Sequence, residues 1–260
     1  MKEKTKKKED SKNPRLILLD AHAILHRAYH ALPEFSSSKG EPTGALYGIS
    51  TMLIKIIQDL KPDYIVACFD LPQPTHRHEA YAQYKAGRQK ADQELVAQII
   101  RSRDVFAAFG VPMYDKPGFE ADDILGTIVD VLKDKQIDIV IASGDMDTMQ
   151  LIDDKKVQVY TLKKGINDTI MYDEKAVVGR FGFVPALLPD YKGLRGDPSD
   201  NIIGIKGIGE KTASILIQNF GTIENMYKVL KKSPEKFAEV GIKPRAVSYT
   251  HLTLPTIYSV

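Results

Sequence analysis

The chain of 260 residues has a single cysteine, Cys68, so it forms no internal disulfide. That usage points to a cytoplasmic compartment, and Cys68 itself reads as a buried strand residue within DYIVACFD. No apolar run approaches the roughly 20 residues of a helical membrane span, so no membrane partner is expected. The start, MKEKTKKKEDSKNP, has lysines but no apolar stretch behind them within that segment. It is not a secretory signal, and residues 1–13 read as a disordered basic tail. A net charge of +2 argues neither for nor against nucleic acid. There is no solenoid-type repeat and no long low-complexity stretch. Residues 247–260, VSYTHLTLPTIYSV, hold no Asp, Glu, Lys or Arg. They read as a non-native or disordered tail and are left out of the functional reading.

What is present is ordinary for a globular chain, at 43% hydrophobic and 27% charged residues. RLILLD (15–20), DYIVACFD (63–70) and DIVIASGD (138–145) are apolar nearly throughout, the pattern of parallel strands covered on both faces. KVQVYTL (156–162) is a weaker fourth strand, and helical periodicity fills 44–60, 90–109 and 121–135. Strands alternating with helices predict an α/β domain with a mostly parallel sheet over residues 14–185. Beyond about residue 185 the chain turns rich in glycine and then helical at 210–219, which predicts a smaller helical region over 186–246.

Asp20, Asp70 and Asp145 each close a predicted strand at its carboxyl end, the edge where open α/β sheets bind ligands. Glu120, Asp122 and Asp123 open the helix that begins at that same edge. Capping a helix dipole would explain one acidic segment, but not four converging ones. Asp147, Asp197 and Asp200 bring the set to nine carboxylates. So many cannot stay ionised in one cleft without cations, and oxygen-only ligands select Mg²⁺ or Mn²⁺. Two such ions about 3.5–4 Å apart would activate water and stabilise the leaving oxygen of a phosphodiester. Glu120 and Asp123, three apart, are expected on one side of the helical start, with Asp122 serving an outer shell or a second ion.

His22, His26 and His30 share a helical spacing, but HAILHRAYH lacks the glutamate a zinc protease needs after its first histidine. The Asp145-x-Asp147 pair suggests an aspartyl-phosphate phosphatase, yet the threonine falls at 148 and position 149 is methionine. The stretch 76–90 interleaves Arg77, Lys85, Arg88 and other bases with Tyr81 and Tyr84, the make-up of a single-strand channel. GIKGIGEKTA (204–213) is no phosphate-binding NTPase loop, since Glu210 stands where that motif needs lysine. A glycine turn opening a helix still offers backbone N–H groups, so Lys206, Gly207, Gly209, Lys211 and Thr212 are expected to grip a duplex backbone.

LLDAHAILHRAYHAL, ACFDLPQPTHRHEAYAQYKAGR, GFEADDILGT, SGDMDTMQL and GDPSDNIIGIKGIGEKTA together resemble the 5′ nuclease domain of bacterial DNA polymerase I and the related flap endonucleases. The resemblance covers roughly residues 14–245. It implies a PIN-like core with a helical arch at about 71–92, and a helix–three-turn–helix binding duplex DNA. Asp20, Asp70, Glu120 and Asp122 would hold a first metal, with Asp123 nearby. Asp145, Asp147, Asp197 and Asp200 would hold a second. Lys85 and Arg88 would engage the scissile phosphate, and Tyr84 would stack on the terminal base. A monovalent cation such as K⁺ would sit at the helix-turn region. The implied activity is 5′→3′ exonuclease and flap endonuclease action in replication and repair. The implied partners are flapped or branched duplex, a 5′ single strand or an RNA primer–DNA hybrid, with the protein a monomer. A catalytically impaired DNA-binding module is the alternative. The family usually has lysine at the position of Met146 and IPGV where this chain has IIGI. No polymerase domain follows, and the family's last nuclease helices give way to the tail, which leaves open whether the nuclease stands alone.

Overall fold

The computed structural model describes residues 13–154, 156–164 and 168–242. Of the tails singled out in the sequence, 1–13 and 247–260, residues 1–12 and all of 247–260 therefore lie outside the described residues. Strand β1 (Arg15–Asp20) leads into α1 (Ala21–Ala31) and α2 (Gly44–Leu60), then β2 (Tyr64–Cys68), α3 (His76–Ala80) and α4 (Gln93–Ala108). The short β3 (Met113–Tyr114), α5 (Ala121–Leu132), β4 (Asp138–Ala142), β5 (Val157–Lys164) and β6 (Asp168–Tyr172) complete the sheet. Helices α6 (Glu174–Phe181), α7 (Leu188–Arg195), α8 (Glu210–Phe220), α9 (Ile223–Lys232) and α10 (Glu235–Glu239) follow.

The six strands run in the order β3-β2-β1-β4-β5-β6, parallel except for β6. The alternation of β1 explains the two-sided burial. Leu16 and Leu18 face one side with Leu125, Ile139 and the C-terminal helices, including Tyr191, Leu194 and Leu216. Ile17 and Leu19 face the other with Ile24, Ile49, Leu53 and Phe106, from α1, α2 and α4. The helical region after α6 thus shares a core with the sheet. Gln98 of α4 is buried and its amide oxygen accepts from the Ala45 and Leu46 N–H groups at 2.7 and 3.3 Å, capping α2.

Chain order reverses at β1, whose neighbours are β2 and β4. That switch point opens a crevice at the carboxyl ends of the strands. The segment expected as a helical arch carries one short helix, α3, and otherwise a series of turns.

Candidate active site

Each strand around the switch point delivers a carboxylate to its end. Asp20 closes β1 and caps α1, accepting from Ala23 N–H at 3.1 Å. Its other oxygen accepts from the Ser143 hydroxyl at 2.7 Å, just past β4. Ser143 Oγ in turn accepts from Asp145 N–H at 2.9 Å, so one buried hydroxyl spaces two acids. Asp70, beyond β2, accepts from Ala121 N–H at 2.7 Å, which ties the start of α5 to the crevice. Asp70 N–H donates to His22 Nδ1 at 3.2 Å, which fixes the His22 proton on Nε2. Burial holds His22 below its ordinary pKa against the pull of Asp70.

The electrostatics record the crowding. Burial, and behind it the charges of Asp70 and Asp145, pushes Asp20 up to about 6 despite its two hydrogen bonds. Asp122 is raised well above the usual carboxylate range by burial and by Asp20, Asp145 and Asp70. Asp147 is pushed up to about 6 by burial and Asp145, with Lys192 opposing. Carboxylates raised in this way lack a positive partner of sufficient charge.

A second set lies beside the first. One carboxylate oxygen from each of Asp147, Asp197 and Asp200 falls within 4.8 Å of the others. Asp145 N-caps the 3-10 turn Met146–Leu151 and accepts from Asp147 N–H at 2.9 Å. Asp197 N-caps the 3-10 turn Pro198–Asp200. Asp197 and Ile202 exchange two backbone bonds of 2.8 Å that close this loop. Behind that closure Gly196 and Gly204, both at positive φ, meet backbone to backbone. A Cβ on Gly204 would lie 2.3 Å from Gly196 N. Lys192 of α7 donates to Asp147 and, at 2.8 Å, to Asp197. Burial alone would raise Asp197, but Lys192 and Ser199 outweigh it and hold the group below its ordinary value.

Three of the expected site side chains have partners within the protein. Asp123, expected near the metals, accepts two bonds of 2.7 Å from Arg77 and one of 2.8 Å from Glu120 N–H. Arg77, expected on DNA phosphate, is 6% exposed and committed to that pair, with Glu120 3.8 Å away. Tyr84, expected to stack on a base, is 4% exposed, and its hydroxyl lies 3.1 Å from Glu120 and 3.2 Å from Asp200. The cause lies in the first turn of α5, where successive residues point about 100° apart. Glu120 and Asp123 do share a side, but it is the side of Arg77, while Asp122 turns into the crevice.

Lys85 Nζ donates to Glu120 at 2.8 Å and Arg88 to Asp200 at 2.6 Å, so both expected bases border the acids. Tyr81 donates to Asn201 O at 3.3 Å. Lys206, Gly207, Gly209 and Lys211 are exposed, with Thr212 half-buried, on a turn anchored by buried Ile205 and Ile208. Gly209 N-caps α8. Sequence reasoning missed Ser143, His22 as a ligand-side contact, and Lys192. The first two follow carboxyl ends of strands, a signal that was readable. Lys192 looks like any helical lysine until the loops are folded.

An α/β sheet with acids at its switch point, joined to a helical region that adds more, defines an α/β domain built around a carboxylate-lined crevice. Residues 15–182 match the family described as 5'-3' exonuclease, N-terminal resolvase-like domain, and 183–249 match 5'-3' exonuclease, C-terminal SAM fold. The chain belongs to the 5′–3′ exonuclease family. It is 41% identical to DNA polymerase I of Bacillus caldotenax over 212 residues, 82% of this chain and 24% of that protein. Against DNA polymerase I of Mycobacterium bovis it is 37% identical over 220 residues, 84% of the chain and 24% of the relative. The chain thus spans about a quarter of the length of these relatives. In fold it is similar to the T5 D15 protein co-crystallized with metal ions (TM-score 0.71, 19% identity, 94% of this chain and 85% of that one). It also resembles the catalytic core of Rad2 in complex with DNA substrate (TM-score 0.56, 15% identity, 92% and 72%). Among the described residues no helix is long and apolar enough to cross a membrane.

Proposed function

We propose that this domain is a divalent-metal-dependent 5′→3′ exonuclease and structure-specific 5′ flap endonuclease, hydrolysing DNA phosphodiesters in replication and repair. The observation that carries the reading is the meeting of Asp20, Asp70, Glu120, Asp122 and Asp145 with the bases Lys85 and Arg88 on one crevice, with Asp147, Asp197 and Asp200 converging beside it. The donors fit hard ions: all are carboxylate oxygens, three converge within 4.8 Å, and Asp20, Asp122 and Asp147 are raised as under-compensated acids are. Asp20, Asp70, Glu120 and Asp122 would hold one Mg²⁺ or Mn²⁺, and Asp145, Asp147, Asp197 and Asp200 the other. When bound, such ions supply an activated water and charge compensation at the phosphodiester.

The chain's own residues supply placement. Lys85 and Arg88, which border the acids, would engage the phosphate. Arg77 and Asp123 fix the start of α5, so Glu120 and Asp122 hold their directions. Ser143 and His22 hold Asp20, Asp145 and the Asp70 backbone in register. The turn 204–212 presents backbone N–H groups to a duplex phosphate without reading sequence, and a K⁺ ion there would reinforce the grip. The substrate is a branched or flapped duplex with a 5′ single strand, including RNA primer–DNA hybrids. The domain acts as a monomer in the cytoplasm, joined in longer relatives to a polymerase domain.

Cleavage of a 5′-end-labelled flap duplex tests this, run with Mg²⁺, with EDTA and with Asp145→Ala. Metal-dependent cutting near the junction, lost in the variant, is expected. Tight binding without cutting under Mg²⁺ or Mn²⁺ would sink the enzymatic reading.

A further inference from the structure

The segment 81–88 does more than present bases to the crevice: it is docked on the Pro198–Asn201 turn. Lys85 N–H donates to Asp200 O at 3.0 Å and Arg88 Nε to Ser199 O at 3.2 Å. Asn201 Nδ2 donates to Gln83 O at 2.8 Å, and Tyr81 Oη returns a bond of 3.3 Å to Asn201 O. The side chains add Lys85 on Glu120, Arg88 on Asp200, and the Tyr84 hydroxyl between those two carboxylates. A hydroxyl has one proton, so Tyr84 serves only one of them at a time. Lys85 and Asn201, on either side of the joint, both hold left-handed backbones without being glycine, φ 55° and 60°. Such conformations persist where the surrounding contacts hold them.

The oxygens engaged by this segment belong to the same carboxylates that would hold ions. A guanidinium on Asp200 and an ion on Asp200 draw on the same negative charge. Lys192 stands in the same relation to Asp147 and Asp197. We propose that residues 81–88 form a latch whose docking on the 198–201 turn competes with divalent-ion binding at Asp147, Asp197 and Asp200. Ion loading then releases Lys85 and Arg88 from the acids and turns them towards a substrate phosphate. The inference rests on the metal reading above. Because the coupling is reciprocal, loosening the latch tightens ion binding by the same factor that ion binding loosens the latch.

The test uses the full chain, with amide hydrogen–deuterium exchange read over residues 81–88 in EDTA and in Mn²⁺, beside a calorimetric Mn²⁺ titration. A double variant, Tyr81→Phe with Asn201→Gly, removes two latch bonds while leaving every acid and base in place, and glycine keeps the left-handed backbone. Mn²⁺ is expected to speed exchange at the Lys85 amide of the unaltered protein, which donates to Asp200 O. The double variant should exchange fast already in EDTA and bind Mn²⁺ about three- to tenfold more tightly. Mn²⁺ uptake that leaves exchange over 81–88 unchanged or slower overturns the latch and spares the metal reading. Unchanged Mn²⁺ affinity in a variant whose segment exchanges fast also overturns it. An unaltered protein that takes up no Mn²⁺ overturns the metal reading and the latch with it.

Discussion

Arg77→Met separates two roles that a buried arginine beside the carboxylate crevice can have. Its guanidinium makes two 2.7 Å bonds to Asp123, and both residues are 6% exposed. Removing it leaves Asp123 buried with one remaining donor described here, the Glu120 N–H. Stripping one partner from a buried pair costs about 3–5 kcal/mol. Asp123 can escape part of that cost by taking up a proton, so the lower end, about 3 kcal/mol, is expected near neutral pH. At about 2–4 °C per kcal/mol for a chain of this size, Tm should fall by about 6–12 °C in EDTA-treated protein, read by circular dichroism. Burial acts to raise Asp123, but its bonds to Arg77 and Glu120 and the Arg77 charge hold it below its ordinary 3.8. A depressed carboxylate stabilises above its unfolded pKa and loses that contribution as pH falls through the folded one. The difference between the two proteins should therefore narrow as pH falls, first through the raised Asp123 of the variant and then through the depressed Asp123 of the unaltered protein. Replacing both partners, Arg77→Met with Asp123→Leu, should recover most of the loss. The opposite pattern would refute this reasoning: an unchanged Tm, with flap-duplex binding weakened and its salt slope reduced by about one.

Four further outcomes follow from the same geometry. In EDTA the protein should melt lower at pH 7 than at pH 5, because Asp20 and Asp147, raised to about 6, bind protons more tightly folded than unfolded. Between about pH 4 and 6 stability then falls as pH rises, on the order of a few kcal/mol in all, and divalent ion should restore it most at pH 7; a Tm rising over that range would contradict the assignment. Asp122→Asn should raise the EDTA melting point by a few degrees through loss of a crowded buried charge, while lowering flap cleavage about 100-fold or more. Gly204→Ala should cost about 2–4 kcal/mol in chemical denaturation, since its Cβ would strike Gly196 at positive φ; a neutral result would place the loop elsewhere. Lys192→Met should lower the EDTA melting point and tighten Mn²⁺ binding severalfold by calorimetry, whereas weaker Mn²⁺ binding would make Lys192 a support rather than a competitor.

The parts of the fold that repeat a simple physical pattern were legible. β1 and β4 are buried on both faces and β2 is buried at its carboxyl end, so their apolar runs stood out, and acids at their ends fixed the position of the crevice. β3 has only two residues, and β6 is half-buried and antiparallel at the sheet edge, so neither produces a run to read. The acids themselves were visible, yet their partners were not. Whether Asp122 or Asp123 faces the crevice turns on one residue of helical phase in α5. The composition of 76–90 gives bases and aromatics, but not that Arg77 and Tyr84 are buried while Arg88 keeps half its side chain exposed. Lys192 meets Asp147 across 45 residues of chain, a pairing that only tertiary structure makes.

The meeting of Gly196 and Gly204 makes the stretch between them behave as a ring tied at its neck. Its neck is closed by main-chain contacts, so the ends of the loop that carries Asp197 and Asp200 do not depend on an outward-facing side chain. Ile203, 80% exposed, projects from that neck into solvent. Position 203 is therefore a grafting point: aromatic, basic or acidic groups can be installed there while the acids keep their places. The same knot denies that freedom at 196 and 204, where the smallest side chain is already too large.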